Sequence, residues 1–136
     1  MEPIHLSLTA NQISQLESIA KQALPNESCA FLLGRAAGDW SNVIEIMPMT
    51  NADSTPFSFS IAPAELLRAY EEAERRNLQV IGIFHSHPAP ASPSATDTKY
   101  MALNPVAWLI YSTTEQNFGA FINDGGVRRL QISVTD

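Results

Sequence analysis

The chain has 136 residues with 45% hydrophobic content, which fits one globular domain, residues 1–136, with a substantial buried core. A formal net charge of −6 at pH 7 gives no support for binding to a nucleic-acid backbone or to an anionic membrane. The single cysteine, Cys29, excludes an internal disulfide, a cysteine-rich structural zinc site and the zinc deaminase signature, which requires two cysteines.

The first residues of the sequence are not expected to form a targeting signal, and an amphipathic helix is predicted after them. Residues 1–5 lack the basic stretch and apolar core of a signal peptide, and no apolar run reaches membrane-span length, so we expect a cytoplasmic protein. From Thr9 to Leu24 the apolar residues recur at helical spacing. Thr9 and Gln12 are placed as a capping box at the start of this helix, and Pro25 ends it.

Two or three strands are expected next. Cys29–Gly34 and Val43–Met49 are short apolar runs separated by a loop at 36–42, and we expect them to pair. Residues 57–60 alternate in period two and predict a further short strand.

A second helix is predicted from Pro63 to Asn77, because proline is favoured in the first turn of a helix. Its charged residues form a solvated face to which we assign no function. The predicted core stripe consists of Leu66, Leu67, Tyr70 and Ala73.

The strand Val80–Phe84 runs into His85-Ser86-His87-Pro88, and Ser94-Ala95-Thr96-Asp97 follows. Because side chains alternate along a strand, His85 and His87 leave the same face, where one cation can reach both. The prolines between the two motifs turn the chain, so that Ser94 and Asp97 can return from the start of a short third helix, 95–102. Two imidazoles and a carboxylate are the ligand types of a catalytic zinc, which keeps an open position for water.

Each part of this arrangement also has a purely structural interpretation. A His-x-His pair at a strand end is often a hydrogen-bonded polar pair, and Ser94-x-x-Asp97 is a capping box for the third helix. The combination favours a metal site, because a helix cap does not require two histidines upstream. Cys29 is the rival candidate nucleophile, but in a buried apolar strand the pKa of its thiol should be raised.

The remaining segments predict strands. Val106–Tyr111 is an apolar run in which Trp108 belongs to the core, and 118–122 and 127–134 flank the tight-turn residues 123–126. The predicted order of elements indicates an α/β (α+β) fold in which helices surround a mixed sheet.

These residues resemble the JAMM, or MPN-plus, zinc metalloprotease family, whose pattern is a glutamate, then His-Ser/Thr-His-Pro, then Ser-x-x-Asp. Here the pattern falls on Glu27, on 85–88 and on 94–97, and Pro25–Gly34 is similar to the family's glutamate-bearing first strand. Asn51, the segment Phe57–Pro63 and Gly82 also match, so the resemblance covers roughly Leu6 to Val134. It implies a single JAMM/MPN-like domain with a mixed, mostly antiparallel, curved β-sheet flanked by helices, similar to the cytidine deaminase fold.

The resemblance also implies a zinc peptidase or isopeptidase that cuts after the Gly-Gly tail of ubiquitin or of a ubiquitin-like or sulfur-carrier protein. His85, His87 and Asp97 would bind one Zn²⁺ per chain, with water as the fourth ligand. Glu27 would be the general acid/base, although its polar turn alone would predict a solvated residue. Ser94 would donate a hydrogen bond to the tetrahedral oxyanion. The implied partners are the ubiquitin-like protein and its conjugates, and a homodimer is left open.

Two other functions stay open. One is a non-catalytic MPN-type scaffold or ubiquitin-like-binding module, although such chains typically lose zinc ligands and this chain has all of them. The other is a different hydrolytic or repair role, as in relatives with asparagine between the two histidines, where this chain has Ser86. Six residues separate His87 from Ser94, whereas the family generally has seven. The chain has no room for the insertions of eukaryotic deubiquitinases, so a compact, prokaryote-like member is the better comparison.

Overall fold

The computed structural model describes residues 3–50 and 61–136, which contain seven strands and three helices. The predicted strand at 57–60 and Asn51 lie outside the described residues. The helices are α1 (Ala10–Ala23), α2 (Pro63–Arg75) and α3 (Ala95–Leu103). The strands are β1 (His5–Thr9), β2 (Ser28–Ala37), β3 (Trp40–Met49), β4 (Gln79–His87), β5 (Ala107–Ser112), β6 (Asn117–Asn123) and β7 (Val127–Thr135).

The seven strands form one closed barrel in the order β1-β3-β2-β4-β5-β6-β7. Strand β1 pairs in parallel with both β3 and β7, and β4 pairs in parallel with β5, whereas the other four neighbouring pairs are antiparallel. The mixed sheet with helices was predicted correctly, but its closure into a barrel was not predicted. The sheet closes because β1, which the sequence analysis did not predict, joins its two edges. The predicted similarity to the cytidine deaminase fold stays a prediction.

Two hydrophobic clusters divide the core between the two faces of the barrel. The inner cluster takes side chains from all seven strands and includes Leu16 and Ala20 of α1. The outer cluster joins β2, β4, β5 and β6 to Ala69 and Ala73 of α2 and to Met101 of α3. Helix α1 therefore covers the barrel interior, while α2 and α3 lie on its outer face.

Trp108 is fully buried in the outer cluster, as predicted, and its indole N–H donates to the backbone carbonyl of Asn104 at 3.1 Å. A buried indole needs such a partner for its one polar group. Gly82 of β4 lies where a side chain would not fit, since an added Cβ would stand 2.9 Å from Leu32 Cδ1 and 3.0 Å from the Ala107 carbonyl oxygen. Glycine therefore allows the close approach of β4 to its neighbours.

Helix α1 begins as predicted. The Thr9 hydroxyl accepts the Gln12 backbone N–H at 3.1 Å, and the Gln12 side chain accepts the Thr9 N–H at 2.9 Å, which completes a capping box. The core stripe predicted for α2 was partly wrong, because Leu67 and Tyr70 are 61% and 47% exposed. Ala73 is buried as predicted, and Ala69, which the predicted stripe did not include, is buried as well. None of the helices in the described ranges combines the length and the apolar character that a membrane crossing requires.

The predicted loop at 36–42 was also wrong. Strands β2 and β3 continue almost to each other and are joined at Gly38 and Asp39. Gly38 has φ 63°, a left-handed conformation that glycine adopts without a steric penalty. The result is a long antiparallel hairpin, at whose other end β2 begins directly after Glu27.

Candidate metal centre

Strand β4 places the two histidines. Ile83, two residues before His85, belongs to the outer cluster, and alternation puts His85 and His87 on that same outer face at the end of the strand. Their ring centroids are 5.0 Å apart, and the residues are only 1% and 5% exposed. The prediction that both side chains leave one face is confirmed.

Strand β2 brings Glu27 to the same place. In the antiparallel β2–β4 ladder Ser28 pairs with Ser86 and Cys29 with His85, so Glu27, one residue before β2, lies beside the histidines. Glu27 Oε1 is 3.3 Å from His85 Nε2, and the glutamate is 6% exposed. The prediction of a solvated glutamate, made from its polar turn alone, was therefore wrong. The carboxylate lies beside the histidines, as the family resemblance implied.

Helix α3 supplies the carboxylate. Ser94 is its N-cap, and it forms a capping box with Asp97: the Ser94 hydroxyl accepts the Asp97 N–H, and Asp97 Oδ2 accepts the Ser94 N–H, both at 3.0 Å. Asp97 is 2% exposed and also faces the histidines. The structural and the metal-site interpretations are thus compatible, because Asp97 serves as a cap and reaches His85 in the same conformation.

The three candidate ligands converge. Asp97 Oδ1 lies 3.3 Å from His85 Nε2, and Asp97 Oδ2 lies 3.8 Å from His87 Nε2. One potential ligand atom from each of His85, His87 and Asp97 falls within 4.8 Å of the others. The six-residue connection from His87 to Ser94 is thus long enough to let these residues meet.

The buried polar atoms fit a cation at this position. Both ring nitrogens of His87 are buried, and neither makes a hydrogen bond of normal distance and angle within residues 3–50 and 61–136. Buried polar atoms are usually satisfied, so such an exception calls for a ligand or ion. Two imidazole nitrogens and one carboxylate also match a three-residue zinc set with an open position.

The charge states match those of metal ligands. Burial, followed by the neighbouring charge of His85, lowers the pKa of His87, while Asp97 and the backbone of Ser92 and Ala89 oppose this shift less strongly. Burial alone would raise the pKa of Asp97, but the hydrogen bond and charge of His85, with smaller contributions from Ser94 and His87, hold it below its usual value. His87 is therefore held neutral and Asp97 ionised, as metal binding requires.

Two further polar residues complete the site. Ser94 is exposed at its rim, and because its oxygen accepts the Asp97 N–H, its hydroxyl hydrogen remains available to an incoming group. Cys29 is 1% exposed, and burial, with added effects of Glu65 and Glu27, raises the pKa of its thiol to about 12. This agrees with its prediction as a core residue and argues against a thiolate nucleophile.

A buried pair of serines, which no sequence pattern predicted, lies behind the histidines. The hydroxyls of Ser28 and Ser86 are 2.6 Å apart, on the other side of the sheet from His85. Only the register of β2 against β4 reveals this contact, and a sequence pattern does not give that register.

Comparison with known proteins places this arrangement in a family. The model for prokaryotic homologs of the JAB domain matches residues 9–124. The chain belongs to this family. The predicted resemblance to a compact, prokaryote-like member of the JAMM/MPN family is therefore confirmed. The matched range contains Glu27, both histidines and Asp97.

Similar proteins of known name or structure extend this JAB-family match. The chain is 44% identical over 85 residues to desampylase of Pyrococcus furiosus, an alignment that covers 62% of the chain and 58% of that protein. It is 26% identical over 136 residues to CysO-cysteine peptidase of Mycobacterium tuberculosis, covering 96% and 92%. A solution structure of a Desulfitobacterium hafniense protein matches with a TM-score of 0.86 at 34% identity, covering 96% of this chain and 93% of that one.

Proposed function

We propose that this protein is a cytoplasmic, zinc-dependent peptidase that hydrolyses the peptide or isopeptide bond after the Gly-Gly tail of a ubiquitin-like or sulfur-carrier protein. The observation that carries the proposal is the convergence of His85, His87 and Asp97 beside the buried carboxylate of Glu27. The names of two relatives, desampylase and CysO-cysteine peptidase, support a peptidase.

In this proposal His85, His87 and Asp97 would hold the zinc ion, since they offer two imidazole nitrogens and a carboxylate oxygen close together. When bound, zinc would act as a Lewis acid and would lower the pKa of a water molecule in the site from far above neutrality to about 7. The Asp97 carboxylate is kept in place by the Ser94 backbone N–H, which fixes the oxygen that faces His87. A hydrogen-bond donor that orients a metal-binding side chain in this way commonly increases the affinity for the metal.

Glu27 is the general base and then the general acid. Its carboxylate, 3.3 Å from His85 Nε2, takes a proton from the attacking water and delivers it to the nitrogen of the breaking C–N bond, which leaves as an amine. Because a carboxylate that is 6% exposed has little competing bulk water, the proton stays in the site between the two transfers.

Ser94 stabilises the charge that develops on the carbonyl oxygen. Its oxygen is oriented by the Asp97 N–H, so its O–H can donate towards the substrate without breaking the capping box. A donor of this kind commonly contributes about 3 kcal/mol to the transition state. No covalent intermediate is required, which agrees with the protonated state of Cys29.

The experiment that tests this function presents the purified protein with fusions of the host's own Gly-Gly-tailed ubiquitin-like proteins. We expect cleavage directly after the second glycine, detected by intact mass, that a chelator abolishes and added zinc restores. The matched control is the same fusion with both tail glycines replaced by alanine. Binding of the fusions by a metal-free protein without cleavage would instead favour the scaffold function and would contradict the proposal.

A further inference from the structure

Ser86 stands between the two histidines but faces the other way. Side chains alternate along β4, so Ser86 projects from the face opposite to His85 and His87. There its hydroxyl oxygen accepts the backbone N–H of Ser28 at 3.1 Å and lies 2.6 Å from the Ser28 hydroxyl. Ser86 is 0% exposed and Ser28 is 6% exposed. We call these two residues the serine clamp.

The serine clamp acts at the very start of β2. Ser28 is the first residue of that strand, and Glu27 precedes it directly, outside the strand. The backbone N–H that donates to the Ser86 hydroxyl therefore belongs to Ser28, the residue directly after Glu27. Ser86, the other residue of the clamp, is joined by peptide bonds to both His85 and His87. The clamp thus links the backbone beneath Glu27 to the backbone beneath His85 and His87.

We propose that Ser86 is a positioning residue that holds the Glu27 carboxylate against His85. The inference rests on the proposed function, in which Glu27 moves the protons, and it assigns to Ser86 a role that acts through Glu27 alone. Because Ser86 points away from the site, it contacts neither the water nor the substrate. Its contribution is to keep the start of β2 in register, so that the Glu27 Oε1 to His85 Nε2 distance stays at 3.3 Å.

Alanine at position 86 would remove this link selectively. The Ser28 N–H and hydroxyl would lose their partner in a buried environment, which favours fraying of the first residue of β2. The histidines would keep their positions, because their side chains lie on the opposite face and β4 remains paired with β5 from Gly82 to His87. Glu27 would then sample positions away from His85, and small misplacements of a catalytic group cost turnover steeply.

The test compares Ser86→Ala with the unmodified protein in three measurements. We expect kcat to fall by roughly 10- to 100-fold while KM and zinc stoichiometry stay unchanged, since binding and ligands are untouched. We expect the Ser28 amide to exchange with solvent at least about tenfold faster, as for a newly frayed strand end. In a crystal structure of the variant, the Glu27 carboxylate should no longer contact His85.

Two matched variants separate positioning from general loss of structure. Ser112→Ala removes another fully buried serine, which accepts the Glu115 N–H at 2.9 Å and pairs with His87 in the β4–β5 ladder, on the side of β4 away from β2. It should leave kcat and Ser28 exchange unchanged. Ser28→Ala keeps the Ser28 N–H bond to Ser86 and should lose less activity than Ser86→Ala. Equal losses in all three variants would contradict the inference.

Failure of this inference can be told apart from failure of the proposed function. If the unmodified protein cleaves no Gly-Gly-tailed fusion, the proposed function fails, but the exchange and crystal measurements still apply to Ser86. A Glu27 carboxylate that keeps its contact with His85 in Ser86→Ala overturns the positioning role whatever the activity. If the variant does not fold, the Ser28 amide is measured in the unmodified protein. Fast exchange there would contradict the positioning role, because the Ser86 hydroxyl would then not hold that N–H.

Discussion

One oxygen of Asp97 lies 3.3 Å from His85 Nε2, while the other oxygen of the same carboxylate accepts a backbone N–H at the start of α3. The helix cap and the candidate metal ligand are therefore the same group. The cap restricts the rotation of the Asp97 side chain before any ion arrives. A ligand that is already oriented loses less conformational freedom on binding, so the site is partly preorganised.

Replacing Glu27 by glutamine tests the proton-transfer step. Glutamine keeps the size of the side chain but cannot accept and return a proton, so turnover should fall by about 10²- to 10⁴-fold. Zinc should remain bound, because Glu27 is not among the three candidate ligands. Zinc content by elemental analysis and kcat on a Gly-Gly fusion are the two measurements. Cleavage at the original rate would remove Glu27 from the mechanism.

The Ser94→Ala variant should show two separate losses. Removal of the N-cap oxygen should lower the free energy of unfolding by about 1 kcal/mol, and loss of the oxyanion donor should reduce kcat by about 10²- to 10³-fold. Thr98→Ala is the matched control, since the Thr98 hydroxyl donates to the Ser94 carbonyl in the same turn at 2.9 Å. This control should change stability slightly and leave kcat intact. Denaturant unfolding and steady-state kinetics distinguish the two effects, and unchanged kcat in Ser94→Ala would exclude its catalytic role.

The two functions of Asp97 can be separated by comparing asparagine with alanine at this position. Asparagine keeps an oxygen that can accept the Ser94 N–H, whereas alanine removes it, so the metal-free alanine variant should be less stable by about 1 kcal/mol. Both variants should bind zinc poorly, because neither retains the negative charge. Urea unfolding of the metal-free proteins and a chelator competition assay provide the measurements. Tight zinc binding by either variant would exclude Asp97 as a ligand.

Cys29 should be unreactive and dispensable for turnover. With its pKa raised to about 12, the thiol is protonated throughout the physiological range, and the reactive thiolate appears only as the pH approaches that value. Alkylation at pH 8 should therefore be slow in the folded protein and fast in urea, as read by mass spectrometry. Cys29→Ala should retain cleavage. A Cys29→Ala variant that loses activity while zinc is still bound would instead indicate a thiol nucleophile.

The local parts of this structure could be predicted from the sequence. Capping boxes at Thr9 and Ser94 depend on residues three positions apart, and the shared face of His85 and His87 follows from strand alternation alone. The approach of Glu27 to His85 depends on the pairing of β2 with β4, which no local pattern specifies. Only the family resemblance led to Glu27.

Other features depended on packing that a sequence does not display. Strand β1 has five residues, and its pairing with β7 joins opposite ends of the sequence, so barrel closure was missed. Helix α2 was predicted correctly, but the larger residues Leu67 and Tyr70 were assigned to its buried face. The small side chains of Ala73, which was predicted there, and of Ala69, which was not, form that face and let the helix approach the sheet closely.

The parallel pairing of β1 with β7 has a consequence for how the protein is made. His5 pairs with Gln131 and Thr9 with Thr135, and the Pro3 carbonyl accepts a hydrogen bond from the Arg128 guanidinium at 2.7 Å. Strand β1 is therefore synthesised well before β7 and lacks this partner until β7 has followed it. Contacts between such distant segments form late and slowly, so a nascent chain carries β1 without this partner while β2 to β6 are synthesised.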